Sequence, residues 1–381
     1  MASSNKVLIV AGESSGDLHG ANLAKELLKK RPSLELAGIG GLQMRNAGVN
    51  TLIDNRELAV VGLWEVLSHF SHIKRAFDTM TDILKNDPPA LLVLIDYPDF
   101  NLRLAKVAKK AGVPVVYYIS PQVWAWRKGR VKTIRKIVDK MLVVFPFEEE
   151  FYHESGVDCA FVGHPLLDAI GELPSHESLA ARFGLDASRP ILGLLPGSRR
   201  KEISFHLSLM LDSWKLIREQ VPGIQAILPV ADTLDIEDIR ASISGLDDIK
   251  VVQHDTPGVM AVMDAAVVAS GTATLQTALY GKPMVIIYKL SPVTYQIGKR
   301  LIKLPFIGIV NLLMNEEVVP ELIQDDASPE RISGLTSRIF KDREYRASVR
   351  EKLERVREKL GGPGASGRAA DEVLKIIGQA D

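Results

Sequence analysis

Short runs of Val, Ile and Leu, each followed by an amphipathic stretch, recur along almost the whole chain. That alternation restricts the fold more than any other feature. Val7–Ala11, Leu91–Ile95, Val113–Ile119 and Met141–Phe145 are apolar at successive positions, as expected of parallel strands covered on both faces. Between them lie stretches such as Ala21–Lys30, with Leu23, Leu27 and Leu28 on one face. The series pauses after Gly163-His164-Pro165, where Gly171–Arg189 is polar. It resumes at Ile191–Leu195 and continues through Ile224–Leu228, Ile249–Val252, Ala265–Ala269 and Met284–Ile287. Strand–helix alternation predicts doubly wound sheets, and 381 residues exceed one ordinary core. The expectation is two α/β domains, 1–168 and 169–341, joined near residues 165–190. A charged helical tail, 342–381, breaks at Gly361-Gly362-Pro363-Gly364 and can pack on the first domain or on a second subunit of a homodimer.

Charge and cysteine content narrow the partners. Lys+Arg and Asp+Glu both number 47, which argues against nucleic acid as a bulk partner. The single cysteine, Cys159, cannot form an internal disulfide, and no Cys/His spacing suits structural zinc. Neither a metal nor another cofactor is expected. Met1–Lys6 has no signal-peptide layout, and no apolar run approaches the roughly 20 residues that span a bilayer. A cytoplasmic protein, soluble or resting on a membrane surface, fits best. One stretch could rest there: Val60-Val61-Gly62-Leu63-Trp64 with Val66, Leu67, Phe70 and Ile73, flanked by His72, Lys74 and Arg75. Leu63, Trp64 and Leu67 are the candidate membrane or acyl contacts; the plain alternative is a buried helix.

Five strings at strand ends can carry chemistry. Gly12-Glu13-Ser14-Ser15-Gly16-Asp17 follows the first strand and opens a helix, whose free N–H groups suit an anion or sugar hydroxyl. Ser15 and Gly16 are the candidate contacts; a serine-capped turn is the alternative. The spacing matches neither the dinucleotide fingerprint nor a P-loop, which disfavours a nicotinamide oxidoreductase. In Asp96-Tyr97-Pro98-Asp99-Phe100-Asn101, Asp96 closes a strand where open sheets face their ligands. It is the candidate general base. Asp99 can orient it or serve instead, and Asn101 reads as a helix cap. Ser120-Pro121-Gln122-Val123-Trp124-Ala125-Trp126-Arg127 holds two of the four tryptophans, either lining a sugar or acyl pocket or packing between domains.

The other two strings lie in the second domain. Pro196-Gly197-Ser198-Arg199-Arg200-Lys201-Glu202 joins a glycine turn, a hydroxyl and three cations at a helix start. There Gly197 and Ser198 can offer N–H groups to a diphosphate and Arg199 a bidentate charge. Ser270-Gly271-Thr272-Ala273-Thr274-Leu275-Gln276 repeats the design. Gln276, four residues after Thr272, lies on the same helix face and can reach a ribose.

These strings, with Gly38-Ile39-Gly40-Gly41, Glu57–Val60, Gly62, Glu65-Val66-Leu67, Gly163-His164-Pro165 and Asn311-Leu312-Leu313, resemble the lipid-A-disaccharide synthase family in its order over residues 6–325. The resemblance implies a GT-B fold, two Rossmann-like domains facing across a cleft, and an inverting glycosyltransferase. It implies that UDP-2,3-diacylglucosamine and 2,3-diacylglucosamine 1-phosphate give the β-1,6-linked disaccharide 1-phosphate and UDP at the inner membrane's surface. The first domain would take the acceptor and the second the UDP-sugar. Carried over, Asp96 matches the base, Arg199 an essential donor-site arginine, and Ser15, Gly16 and Asn311 join the donor contacts. The family often has glutamate where this chain has Gln276, and an amide bonds a ribose hydroxyl less strongly than a carboxylate. A UDP-sugar epimerase would share the diphosphate site without a second sugar, and a lipid-binding protein would not need that site.

Overall fold

The computed structural model describes residues 5–58, 63–126, 128–171, 173–232, 234–246, 248–291, 294–296 and 304–379. The chain forms two units, one of residues through Asp168 with the segment from Leu360, the other Ala169–Lys359. In the first, seven parallel strands run β3-β2-β1-β4-β5-β6-β7. They are β1 Lys6–Ala11, β2 Glu35–Gly40, β3 Asn50–Asp54, β4 Leu91–Ile95, β5 Val115–Tyr118, β6 Lys140–Val143 and β7 Cys159–Phe161. In the second, six run β10-β9-β8-β11-β12-β13. These are β8 Ile191–Leu195, β9 Gln225–Val230, β10 Ile249–Gln253, β11 Ala265–Ala269, β12 Met284–Tyr288 and β13 Glu321–Ile323.

The apolar runs became the central strands because both faces are buried; β1, β4, β8 and β11 carry almost no exposed side chain. Four strands lacked that signal. β2, Glu-Leu-Ala-Gly-Ile-Gly, is too rich in small residues to read as an apolar run, and β3, β7 and β13 are short or lie at a sheet edge. Gly38 is required where it stands: its φ is +146°, and a Cβ would lie 2.0 Å from the Ile9 carbonyl oxygen.

The tail is divided. Helix Arg343–Lys359 belongs to the second unit and packs on helix Thr272–Leu279, whereas helix Ala365–Gln379 packs on helix Ser14–Lys30 of the first. The break between them uses left-handed Gly361, Gly362 and Gly364. The Gly163-His164-Pro165 string receives this segment: His164 N–H donates to the Leu360 carbonyl at 3.0 Å. Asp168 then caps helix Ala365–Gln379, accepting from the N–H groups of Gly364, Ala365 and Ser366 at 2.6, 3.2 and 2.8 Å. Among the described residues, no helix is long and apolar enough to cross a membrane.

Both sheets reverse their winding at one place. β1 is flanked by β2 and β4, and β8 by β9 and β11, so the β1/β4 and β8/β11 edges are topological switch points, where open α/β sheets bind ligands. Four of the five strings singled out above leave the strands at those two edges.

Candidate functional site

At the first switch point Ala11 pairs with Ile95, so the turns beginning at Gly12 and Asp96 are neighbours. Asp96 and Tyr97 are consecutive left-handed residues, with φ of 46° and 47°. Such conformations cost about 1–3 kcal/mol each and persist only where the surroundings fix them. Asn101 does so from inside helix Pro98–Lys110, its Nδ2 donating to the carbonyls of Ile95 at 3.1 Å and Asp96 at 2.7 Å. It does not cap the helix as expected, because Tyr97 holds the cap position. The Tyr117 hydroxyl donates a second hydrogen bond to the Asp96 carbonyl. The Tyr97 ring lies over Gly12, where a Cβ would fall 2.3 Å from a ring carbon, and its hydroxyl donates to the Leu58 carbonyl at 3.2 Å.

Burial, reinforced by the charge of Glu13, pushes the Asp96 carboxyl up to about 6. A carboxylate that ionises just below neutrality is suited to accepting a proton. Asp99 is different: it is exposed and ion-paired with Arg130 at 2.7 Å. The first string divides by role as well. Gly16 packs its backbone on Ala11, with 3.3 Å available to a Cβ. Asp17 is buried and caps helix Leu42–Asn46 through the N–H groups of Gly41, Gln43 and Met44. Ser15 is exposed at the first turn of its helix.

The Ser120–Trp124 loop follows β5 through left-handed Ile119 (φ 64°). Ser120 Oγ and Trp124 Nε1 both donate to Glu148, at 2.7 and 3.0 Å. Glu148 also accepts from the N–H groups of Val144 and Phe145. Complete burial pushes it up to about 7 even against those four bonds, which favour the ionised form. Trp124 is itself buried, edge-on to Phe147 at 4.9 Å, so it serves packing within the first unit. Val60–Gly62 and Arg127 lie outside the described residues, as do the side chains of Leu63, Trp64, Leu67 and Trp126.

At the second switch point β8 and β11 are paired through Leu195 and Val268. Gly197 has φ +116°, and a Cβ there would lie 2.5 Å from a Glu202 carboxylate oxygen. Glu202 accepts from the N–H groups of Ser198 and Arg199 at 2.9 and 3.2 Å. This corrects the expectation for that turn: a carboxylate holds the amides of Ser198 and Arg199, and Gly197 serves the bend. What the turn presents is the Arg199 guanidinium, 66% exposed and 3.7 Å from Glu202. The Ser270–Thr272 turn is open. Gly271 is extended (φ 161°); among the described residues nothing lies within 4 Å of a Cβ built on it, and no side chain caps helix Thr272–Leu279. Ser270 and Gln276 are half-buried beside it, and Thr272 is exposed.

The structure gives Asn311 a role within the fold. It is fully buried, its Nδ2 donates to the Val319 carbonyl and Glu321, and its Oδ1 accepts from Val318 and Val319 N–H. All four of its hydrogen-bonding positions are filled, and it knits the 308–321 loop.

The sequence model of the lipid-A-disaccharide synthetase family matches residues 7–374. The chain belongs to the lipid-A-disaccharide synthase family. It is 53% identical over 380 residues to the lipid-A-disaccharide synthase of Geobacter metallireducens, covering 99% of each chain. Its fold is similar to that of the UDP-GlcNAc 2-epimerase from Neisseria meningitidis bound to UDP-GlcNAc, with TM-score 0.70, 13% identity and 97% and 100% of the two chains covered. It is also similar to the calicheamicin glycosyltransferase CalG4, with TM-score 0.62, 16% identity and coverage of 100% and 99%. At those identities the likeness concerns the fold alone, the two-sheet GT-B architecture.

Three residues that support these turns and the 308–321 loop, Glu148 and His206 buried and Glu321 half-buried, were not singled out in the sequence. Glu148 sits in the acidic run Glu148-Glu149-Glu150, of which only Glu150 is exposed. Its signal was position: three residues after Phe145, where a carboxylate can reach back to a helix start. His206 lies on helix Arg200–Gln220 and shares its buried face with Met210, Ser213 and Ile217, a spacing visible in the sequence. Glu321 accepts from Ile307, Gly308 and Asn311, and nothing local announced it.

Proposed function

We propose that this chain joins two acylated glucosamines, transferring the sugar of UDP-2,3-diacylglucosamine to 2,3-diacylglucosamine 1-phosphate. The observation that carries the reading is the 53% identity to a named synthase over 99% of both chains. The second unit takes the donor. The developing charge on the departing UDP is met by Arg199 and by the open helix start at Gly271, where a diphosphate can approach the backbone. Gly271 supports this: no described residue lies against it, so its lack of a side chain is free to serve a ligand.

The first unit takes the acceptor. Asp96, with a proton affinity suited to pH near neutrality, removes the proton of the acceptor 6-hydroxyl. That oxygen forms its bond to the donor anomeric carbon from the face opposite UDP as the bond to the diphosphate breaks, which inverts the configuration. Both substrates carry acyl chains, so the enzyme meets them at a membrane surface, for which the apolar stretch around Leu63, Trp64 and Leu67 is the candidate contact.

The test is to supply purified protein with both substrates and follow the disaccharide 1-phosphate and UDP by mass spectrometry. Product only with both substrates is expected. Conversion of the donor alone to an isomeric UDP-sugar would instead make the chain an epimerase.

A further inference from the structure

Three backbone groups of the Pro196–Arg199 turn are held by side chains from one helix. Glu202 accepts the Ser198 and Arg199 amides. One turn later His206, 1% exposed, has Nδ1 3.2 Å from the Pro196 carbonyl. Its other nitrogen, Nε2, receives the N–H of Lys289 at 3.0 Å, immediately after β12. A carbonyl only accepts and a backbone amide only donates, so the imidazole is neutral with its proton on Nδ1. The ring faces Tyr288, 22° from parallel at 6.4 Å. The next residue is pinned as well: Gln324 accepts from Leu290 N–H at 2.7 Å and donates to its carbonyl at 3.1 Å. Because β11 lies between β8 and β12, the two loops that His206 joins flank the Ser270–Thr272 turn.

We propose that His206 is a positioning residue for the nucleotide-sugar site, a strut that sets the spacing of the loops on either side of the open Gly271 turn. The inference rests on the donor occupying the second unit. The strut exists only with a neutral ring. A proton on Nε2 would point at the Lys289 N–H, donor against donor. Among the described residues, the charged groups around the ring are Glu202 on its own helix and Lys289 beyond β12, with Tyr288 the other titratable neighbour, while burial holds the imidazole below its ordinary range.

Asparagine and glutamine separate the two bonds. In His206→Asn the amide reaches only as far as Nδ1 and can keep the Pro196 bond. In His206→Gln it reaches Nε2 and can keep the Lys289 bond. The measurement is the equilibrium affinity of each folded variant for the UDP-sugar donor, without acceptor, from pH 5 to pH 8. We expect each variant to bind the donor about tenfold more weakly at pH 8, the scale of one lost buried bond. Wild-type affinity should fall on the acid side, and that fall should vanish in both variants, which cannot titrate there. Unchanged affinity, or an acid-side fall that survives in both variants, would overturn the proposal. Arg199→Ala run alongside separates the two readings. If it weakens donor binding while the His206 variants do not, only the strut fails; if it too binds normally, the donor does not sit on this unit and both readings fall.

Discussion

At the first switch point a tyrosine ring lies over the turn glycine, whereas at the second no described residue lies against the turn glycine. Gly12 follows β1 and Gly271 lies just past β11, central strands on opposite sides of their switch-point edges. The first is glycine because Tyr97 leaves no room for a Cβ, and the second although no described residue crowds it. The surrounding chemistry diverges in the same way. The covered turn shelters a carboxyl whose proton affinity is raised, and the open turn is accompanied by an exposed arginine. A burial-shifted acid suits proton transfer, and an open amide edge with a cation suits an anion. In the proposed reaction, one backbone plan, used twice, would supply two different parts of the transfer.

The largest effect is expected at the carboxylate. Asp96→Asn should lower turnover by about 10²–10⁴-fold, the usual worth of a general base, while Asp99→Asn, on an exposed ion-paired residue, should change it less than about threefold. Steady-state rates with both substrates decide, and the reverse ranking would move the base to Asp99. The wild-type rate should fall as pH drops through about 6, because the base acts only when ionised. The stability consequence has the opposite sense. A carboxyl whose folded pKa is raised from 3.8 to about 6 favours the fold when protonated, and this contribution is lost as pH rises through that window. Asp96→Asn should therefore melt higher than wild type at pH 8; a lower melting temperature would mean the carboxylate is held by favourable bonds.

The paired glycines come next. Gly271→Ala should leave the melting temperature unchanged and weaken donor binding by about tenfold, a loss of roughly 1.4 kcal/mol. Gly12→Ala should cost about 1–3 kcal/mol of stability, because the added methyl must displace the Tyr97 ring. Equal destabilisation by the two, measured by thermal melts and donor titration, would erase the contrast. The smallest effect on the reaction is predicted for Asn311→Ala. It should destabilise the second unit by about 2–4 kcal/mol, since several buried groups lose their partner. Donor affinity in the folded variant should stay within about twofold of wild type, and a larger change would restore Asn311 to the donor site.

The sequence made the strand ends legible because buried parallel strands are apolar throughout, and ligand turns sit where those runs stop. The positions of Asp96, Arg199 and Gly271 just past strand ends could therefore be read without coordinates. What a side chain does after such a turn depends on partners distant in sequence. Asp17 caps a helix 25 residues on, Glu148 gathers Ser120 and Trp124 from 28 and 24 residues away, and His206 meets Lys289 across 83. Ser198 and Glu202 are close in sequence, yet their spacing fits a diphosphate turn and a self-capped helix equally well. Asn311 belonged to a recognisable string, but only its burial and four filled bonds reveal that it serves the loop.

The division of labour between the two switch points is tested most directly by titrating UDP into Asp96→Asn by calorimetry, with Arg199→Ala as the counterpart. The account predicts that Asp96→Asn binds UDP within about twofold of wild type although its turnover has collapsed, and that Arg199→Ala binds at least about tenfold more weakly, as expected for a lost charge-assisted contact. Loss of UDP binding in Asp96→Asn in proportion to its lost turnover would contradict it, because the carboxylate would then belong to the donor site.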